Sequence, residues 1–401
     1  MLIMGCQALV LNAGSSSLKF CVFRQLGAED WRLEARGQIE SIHTGPLLIA
    51  KDDKEKLLIH RPLGDRVRNT HDALDTLAEW LRSMYGGMEV VAVGHRVVHG
   101  GAQFEGPTII TQSVLAELRR LVPLAPLHQP YNIAAIEAVL ERLPDVPQVA
   151  CFDTSFHRGW PAVAELIPLP RAIRDAGVLR YGFHGLSYEY IASVLPQVAP
   201  EIANGHVVIA HLGNGASLCA LNDRKSVDCT LSFTALDGLC MGTRPGSIDP
   251  GVILYMLQSL GLSAGQVETM LYKESGLLGI SGISSDTREL LQSSDPAARL
   301  ALDYFVYRVA KEIGAMAVVL GGIDGLVFTG GIGENSAELR RRVCVSCACL
   351  GVQLDAASNS HNGPWISARS SKVATCVIPT NEELMIARHT GALLGLIAAR
   401  A

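Results

Sequence analysis

At 401 residues the chain is longer than one ordinary hydrophobic core, and two domains are expected. Apolar residues reach 48% against 18% charged, as in a globular protein with large cores and room for a buried subunit interface. The net charge of −5, without any Lys/Arg-rich run, excludes nucleic acid and anionic membrane surfaces as partners.

The opening MLIMGCQALV has neither a basic segment nor the apolar length of a secretion signal, and nothing precedes Cys6 to make it a lipoprotein cleavage site. Residues 9–20 then read LVLNAGSSSLKF. Gly14 and Lys19 suggest a P-loop, but its second glycine is missing. Leu18, Phe20 and Val22 alternate with Lys19, Cys21 and Phe23, so the turn joins two strands and opens no helix. A serine-rich hairpin of this kind either cradles phosphate through backbone N–H groups and hydroxyls or is an ordinary polar turn, and the stretch alone leaves both open.

Residues 52–56 form a charged turn, 73–81 a helix, and 90–93 a short strand running into GHRVVHGG. Residues 113–121 have helical spacing, and Pro123, Pro126 and Pro130 punctuate LVPLAPLHQP. Ile133, Ile136, Val139, Leu140 and Leu143 make the apolar stripe of another helix, and 148–152 is a strand ending in D-T-S-F-H, where a domain boundary is placed. The opening pattern then returns: a strand at 207–210, the turn HLGNGAS, and a strand at 218–221. This predicts an internal duplication with one Asn/Gly/Ser hairpin per half, against the alternative of two unrelated glycine turns. Asp295 and Pro296 start a helix that runs to about 320 and stops at Gly321-Gly322. Its apolar stretch at 313–323 is too short to span a bilayer before Asp324. A strand at 326–329, the glycine turn GGIGENS and a helix at 336–342 complete a third nucleotide-type connection, which predicts an α/β nucleotide-binding fold. Cys344, Cys347 and Cys349 lack the second ligand pair of a zinc site, so they are assigned as structural thiols with no metal.

Ten stretches now stand in order from residue 11 to about 390: NAGSSSLKF, GHRVVHGG, PLHQP, CFDTSFH, RYGFHG, HLGNGASL, MGTRPGSIDPG, SGISSDTREL, FTGGIGENS and TNEELMIARHT. Together they resemble the acetate kinase (acetokinase) family. The resemblance implies the actin, sugar-kinase and heat-shock ATPase fold: two duplicated βββαβαβα domains about an ATP cleft, working as a cytoplasmic homodimer. It places an N-terminal domain at 1–152, with a C-terminal helix at about 384–401 packing back on it, and a nucleotide-binding domain at 153–383. The implied reaction is reversible transfer of the γ-phosphoryl of ATP to acetate, giving acetyl phosphate and ADP, with propionate as a secondary substrate.

By the same resemblance Asn12 and Glu382 lie at the magnesium site, where their hard oxygens suit Mn²⁺ as well as Mg²⁺. Lys19 belongs to the ATP site, and so do His211, Leu212, Gly213, Asn214 and Gly215. Asp286, Thr287 and Arg288, then Gly331, Ile332, Gly333, Glu334 and Asn335, match the remaining ATP-contacting stretches. Arg96 matches the substrate arginine, Asp153 the catalytic aspartate, and His184 and Arg244 the groups that stabilise the transition state. Val98, Leu127, Phe183 and Ala235 look like the acyl pocket, with His128 as a further hydrogen-bond donor. His95, His99 and His157 are expected to be core histidines.

A carboxylate nucleophile is already ionised at pH 7, so the chemistry needs positioning and charge neutralisation rather than a base. Asp153 is therefore expected to orient Arg244 or a metal-bound water, and Asp153→Asn to cut turnover without moving the pH optimum. Two departures from the family bear on the substrate. Ala235-Leu236-Asp237-Gly238 stands where P-L-E-G is common, which removes the proline ring from the pocket and makes room for one more methylene. Pro245 and Ser247 replace a Ser or Cys and an Asp beside Arg244. Two other classes use the same hairpins: an ATP-driven module of the chaperone or actin kind, which has no task for Arg96, Arg244 and His184, and a sugar kinase, for which Asp153 would be the base.

Overall fold

The computed structural model describes residues 7–27, 30–86 and 90–398. The N-terminal stretch through Cys6 and positions 399–401 of the anticipated C-terminal helix lie outside the described residues. The chain divides into two compact units, Met1–Phe156 with Asn381–Ala401, and His157–Thr380. The divisions fall after Phe156 and Thr380 rather than after 152 and 383, which puts Asp153 and Glu382 in the first unit.

The first unit is built on an eight-stranded sheet of β1 (Gln7–Ala13), β2 (Leu18–Leu26), β3 (Asp30–Glu40), β4 (Leu47–Asp52), β5 (Leu57–Pro62), β6 (Val90–Val97), β7 (Thr108–Ile109) and β8 (Gln148–Phe152). Their spatial order is β5-β4-β3-β2-β1-β6-β8-β7. The β1–β2 hairpin anticipated from the alternation is present, and the strand at 90–93 continues to Val97, so Arg96 stands on a strand. Strands β3 to β5 gave no signal beyond the turn at 52–56. The buried residues of β3, Trp31, Ala35 and Ile39, recur every fourth position, but a bulge at Glu34 turns Trp31 to the face that packs on Gly391 of the C-terminal helix while Ala35 and Ile39 join Phe20 and Val22 in the core on the other face. The helix Gln129–Arg142 carries the predicted stripe from Ile133 to Leu140, with Leu143 exposed just past its end, and has Pro130 in its first turn. Phe20, Leu77, Trp80 and Val139 join one core between this sheet and its helices, with the Phe20 and Trp80 rings 5.5 Å apart. The helix Glu382–Leu393 contacts β1, β3, β6 and β8, and Arg388 pairs with Asp30 at 3.2 Å.

The second unit has a five-stranded sheet of β9 (His206–Leu212), β10 (Ala216–Asn222), β11 (Lys225–Cys229), β12 (Gly325–Thr329) and β13 (Ala374–Val377), in the order β11-β10-β9-β12-β13. Counted along the chain that order is third, second, first, fourth, fifth. The first sheet repeats it in β3-β2-β1-β6-β8, with extra strands added at both edges. In each sheet a hairpin forms the centre and the next two strands run parallel to its first. The fold is thus a duplicated α/β architecture, and the paired Asn/Gly/Ser turns are equivalent parts of it. The helix Pro296–Leu320 begins on Asp295 and stops at Gly321, as its caps predict. GGIGEN is not a bare turn: Gly330–Asn335 is a short helix, followed by Ala337–Ser346 with Ser336 as its N-cap. Cys344 and Cys347 are buried, and burial pushes both thiols up to about 12.

Candidate active site

The first unit gathers four separated motifs at one end of its sheet. The register of the β1–β2 hairpin sets Asn12 opposite Lys19, and Gly14 N donates to Ser17 O at 2.8 Å to close the turn. Strand β6 runs parallel to β1 and β8 parallel to β6, so Arg96 arises beside Asn12 and Asp153 follows the end of β8. Arg96 Nη1 lies 3.4 Å from Asn12 Oδ1. Its Nε donates to Asp153 Oδ1 at 3.1 Å while Nη2 grips Asp153 Oδ2, a two-bond salt bridge. Glu382, first residue of the C-terminal helix, brings Oε2 to 3.7 Å from Arg96 Nε. Asn12, Arg96, Asp153 and Glu382 therefore do converge, and the guanidinium that Asp153 holds is that of Arg96.

Burial pushes the Asp153 carboxyl up to about 6, against the pull of Arg96 and with the push of Glu382. Burial would lower Arg96, but Asp153 and then Glu382 hold its guanidinium above its ordinary value. Two groups that the motifs did not single out belong here. Burial raises Glu383, with Glu382 adding to the rise and Lys19 and Arg96 opposing it; its only sequence signal is the doubled glutamate of TNEEL. Buried Asn132 donates to Ala13 O at 2.9 Å and accepts from Val98 N at 3.1 Å, tying the hairpin to the GHRVVHGG loop. A polar residue beside the stripe of Ile133 and Ile136 was the clue. Leu127 and His128 lead into the helix Gln129–Arg142. His95 is a core histidine, donating from Nε2 to Gln148 Oε1 at 2.6 Å and lowered by burial to about 4.

The second unit assembles its own cluster on the β9–β10 hairpin. Gly213 N donates to Gly215 O at 3.1 Å across the turn. A Cβ on Gly215 would come 2.9 Å from Arg244 Nη2 and 3.3 Å from His184 Nε2, so a guanidinium and an imidazole close on this hairpin and a larger residue there would displace the guanidinium. Arg244 Nη1 donates to Ala235 O at 2.7 Å. Burial lowers this guanidinium, and among the described residues no carboxylate of its own unit forms an ion pair with it. His184 Nδ1 hydrogen-bonds Ser217 Oγ at 2.8 Å, and its ring stacks on His211 with centroids 4.3 Å apart. Ala235 thus contributes its carbonyl to Arg244. The two departures near it meet each other, since Ser247 Oγ donates to Asp237 Oδ1 at 2.7 Å.

A cavity of about 760 Å³ in this unit is lined by Gly213, Asn214, Asp286, Arg288, Gly331 and Asn335, with Thr287 and Ile332 between them. Asp286 caps the helix Thr287–Gln292 and pairs with Arg288 at 2.5 Å, and that bond holds its carboxyl below the usual range. Not every expected nucleotide residue faces the cavity. Leu212 is fully buried, and Gly333 is buried behind the lining. Glu334 turns its Oε1 to Gly330 N at 2.9 Å and Thr380 N at 3.2 Å, so it braces the loops instead. Arg340, one of three consecutive arginines, is fully buried and donates to Gly333 O at 2.8 Å and Glu334 O at 2.9 Å. Phe183 is buried, with its carbonyl accepting from His157.

Comparison with known proteins places these clusters in context. A model of the acetokinase family matches residues 7–388. The chain is 50% identical over 387 residues to an acetate kinase of Nitrobacter hamburgensis, covering 96% of each. It is 48% identical over 404 residues to an acetate kinase of Methylocella silvestris, covering 98% of each. Among solved structures, a propionate kinase from Francisella tularensis superposes with a TM-score of 0.89 at 37% identity, over 96% of this chain and 99% of that one. The Porphyromonas gingivalis acetate kinase gives 0.87 at 36% identity, over 97% of this chain and 100% of the other.

Proposed function

The chain belongs to the acetokinase family, and on that premise we infer that its two clusters carry out phosphoryl transfer from ATP to acetate, with propionate as a secondary substrate. The observation that carries the assignment of roles is Arg244: a buried guanidinium without a carboxylate partner in its unit, held over a glycine hairpin beside a nucleotide-sized cavity. Burying a cation unpaired is costly, so such a group is kept where an anion must be stabilised. The direct test is acyl hydroxamate formation with Mg-ATP, hydroxylamine and either acid. Signal with acetate supports the reading; a product that resists hydroxylamine would mark a hydroxyl acceptor and sink it.

In this reading the second unit binds ATP, with Asn214, Asp286, Arg288, Gly331 and Asn335 around the nucleotide and Gly213 and Gly215 letting phosphate approach backbone N–H groups. Lys19 adds positive charge from the first hairpin. Arg96 presents to the substrate carboxylate the guanidinium edge that Asp153 leaves open. Val98 and Leu127 of the first unit, and Phe183 and Ala235 of the second, are the residues assigned to the acyl chain, and His128 is the assigned hydrogen-bond donor. Arg244 and His184 neutralise the transferring phosphoryl. No base is required, because the acid's pKa resembles that of Glu, about 4.3.

Asn12 and Glu382 are the groups that would hold Mg²⁺ or Mn²⁺. Among the described residues no cluster of three or more His, Cys, Asp or Glu side chains stands ready for a metal. Two hard oxygen donors suit an ion that keeps most of its shell for water and nucleotide phosphate. Bound there, the metal would offset phosphate charge. We also take the enzyme to act in the cytoplasm as a homodimer; the exposed Leu254, Tyr255 and Leu260 of the second unit favour an interface, and sedimentation equilibrium would read a mass twice that of the chain or refute it.

Substrate range offers a separate check. Ala235→Pro restores ring volume and keeps the carbonyl that holds Arg244. It is expected to lower kcat/KM for propionate relative to acetate by about tenfold, since a methylene in such a pocket is worth about 1–3 kcal/mol. An unchanged ratio would show that position 235 does not touch the acyl chain.

A further inference from the structure

His157 belongs to none of the roles above, yet it is fully buried and fully engaged. Its Nε2 bonds the Phe183 carbonyl at 2.9 Å and its Nδ1 bonds Ser226 Oγ at 2.8 Å. A carbonyl only accepts, so Nε2 carries the proton and Nδ1 accepts from the serine hydroxyl. Ser226 Oγ in turn accepts from Trp160 Nε1 at 2.8 Å and lies 3.3 Å from Cys219 Sγ; the imidazole nitrogen is the stronger acceptor of its hydrogen, in keeping with the tautomer that the Phe183 carbonyl requires. Burial pushes the imidazole down to about 3, so this donor persists at any working pH.

The chain from Tyr181 to His184 wraps this ring. Gly182 has φ +72°, and a Cβ there would come 2.6 Å from His157 Cδ2. His184 itself sits at φ 58° and ψ 24°, a left-handed conformation that a non-glycine residue keeps only when its surroundings impose it. No side-chain cap secures it at the start of the helix Gly185–Val198. The Phe183 carbonyl and the His184 N–H share one rigid peptide plane, so holding the first orients the second.

We propose that His157 is a positioning residue: its hydrogen bond to the Phe183 carbonyl locks the peptide plane that keeps His184 left-handed and its ring over the Gly215 hairpin. The inference rests on the role given to His184 above. Three variants test it, with fold checked by near-UV circular dichroism. His157→Phe keeps the bulk and loses the donor; it is expected to lower kcat by about tenfold to a hundredfold with both KM values within about twofold of wild type. His157→Gln, whose amide can reach the same carbonyl, should recover most of the rate. In a His184→Ala background His157→Phe should cost little more, because it acts through the missing ring.

Wild-type kcat in folded His157→Phe, or a loss that multiplies fully with His184→Ala, overturns the proposal. Should His157→Phe not fold, Ser226→Ala replaces it. That variant frees the tautomer, and a severalfold fall in kcat at constant KM supports the proposal while wild-type turnover refutes it. Full activity in His184→Ala alone would instead remove the reading of the site on which the inference stands.

Discussion

Arg244→Ala is expected to lower kcat by about 10²–10³-fold, the usual result of removing a group aimed at charge that develops in the transition state. The guanidinium is buried, bonded to the Ala235 carbonyl, and set against Gly215 and His184, so its loss opens a gap that water fills without restoring the charge. Removing an unpaired buried cation also relieves a desolvation penalty, so the variant should unfold at a temperature no lower than wild type. Arg244→Lys should recover little of the rate, because an ammonium cannot grip two oxygens in the plane of a guanidinium. Steady-state kinetics with acetate, together with a thermal melt, separates this outcome from a structural role, in which kcat and stability would fall together.

Asp153→Asn should cut kcat/KM for acetate on the order of a hundredfold, through misplacement of Arg96 rather than loss of a base. The salt bridge uses both carboxylate oxygens, and an amide cannot accept the second bond. The sequence alone led to the expectation of an unmoved pH profile; burial changes it. With Asp153 pushed up to about 6, its ionised form, the one that holds Arg96, is in place at pH 7 and is lost as pH falls through about 6. Wild-type kcat/KM should therefore decline on that acidic side, and the decline assigned to this group should vanish in the asparagine variant. Such a limb does not make Asp153 a proton acceptor, since the substrate carboxylate has no proton to give at that pH. A negligible solvent deuterium isotope effect on the wild-type chemical step is the matching expectation, and a large normal effect would reinstate general-base catalysis.

Much of the architecture was readable from local pattern. The strand–turn–strand reading of LVLNAGSSSLKF, its return in HLGNGAS, and the helix from Asp295-Pro296 to Gly321 all rest on interactions within a few residues, and all are present. Strands β3 to β5 were not readable, because a bulge at Glu34 breaks the alternation of β3 and the edge strand β5 buries none of its residues. The candidate site divides in the same way. Motifs point to Asn12, Arg96, Asp153 and Glu382, but nothing in their spacing says that Arg96 and Asp153, 57 positions apart, share a two-bond salt bridge. Nor does GGIGENS reveal that Glu334 braces its own loop while Arg340, first of three consecutive arginines, is buried beneath it.

What the sequence determined by itself is the duplicated α/β plan, the residue types gathered at the ends of its central strands, and membership of one family. Hairpins, caps and glycine turns are local chemistry, and the order of motifs along a chain needs no folding to be read. Only the tertiary structure decided the state of those residues: the raised carboxyl of Asp153, the buried cation of Arg244, the neutral His157 beneath a left-handed His184. Each follows from desolvation and from hydrogen-bond partners remote in sequence, and such quantities come into being when the chain closes on itself.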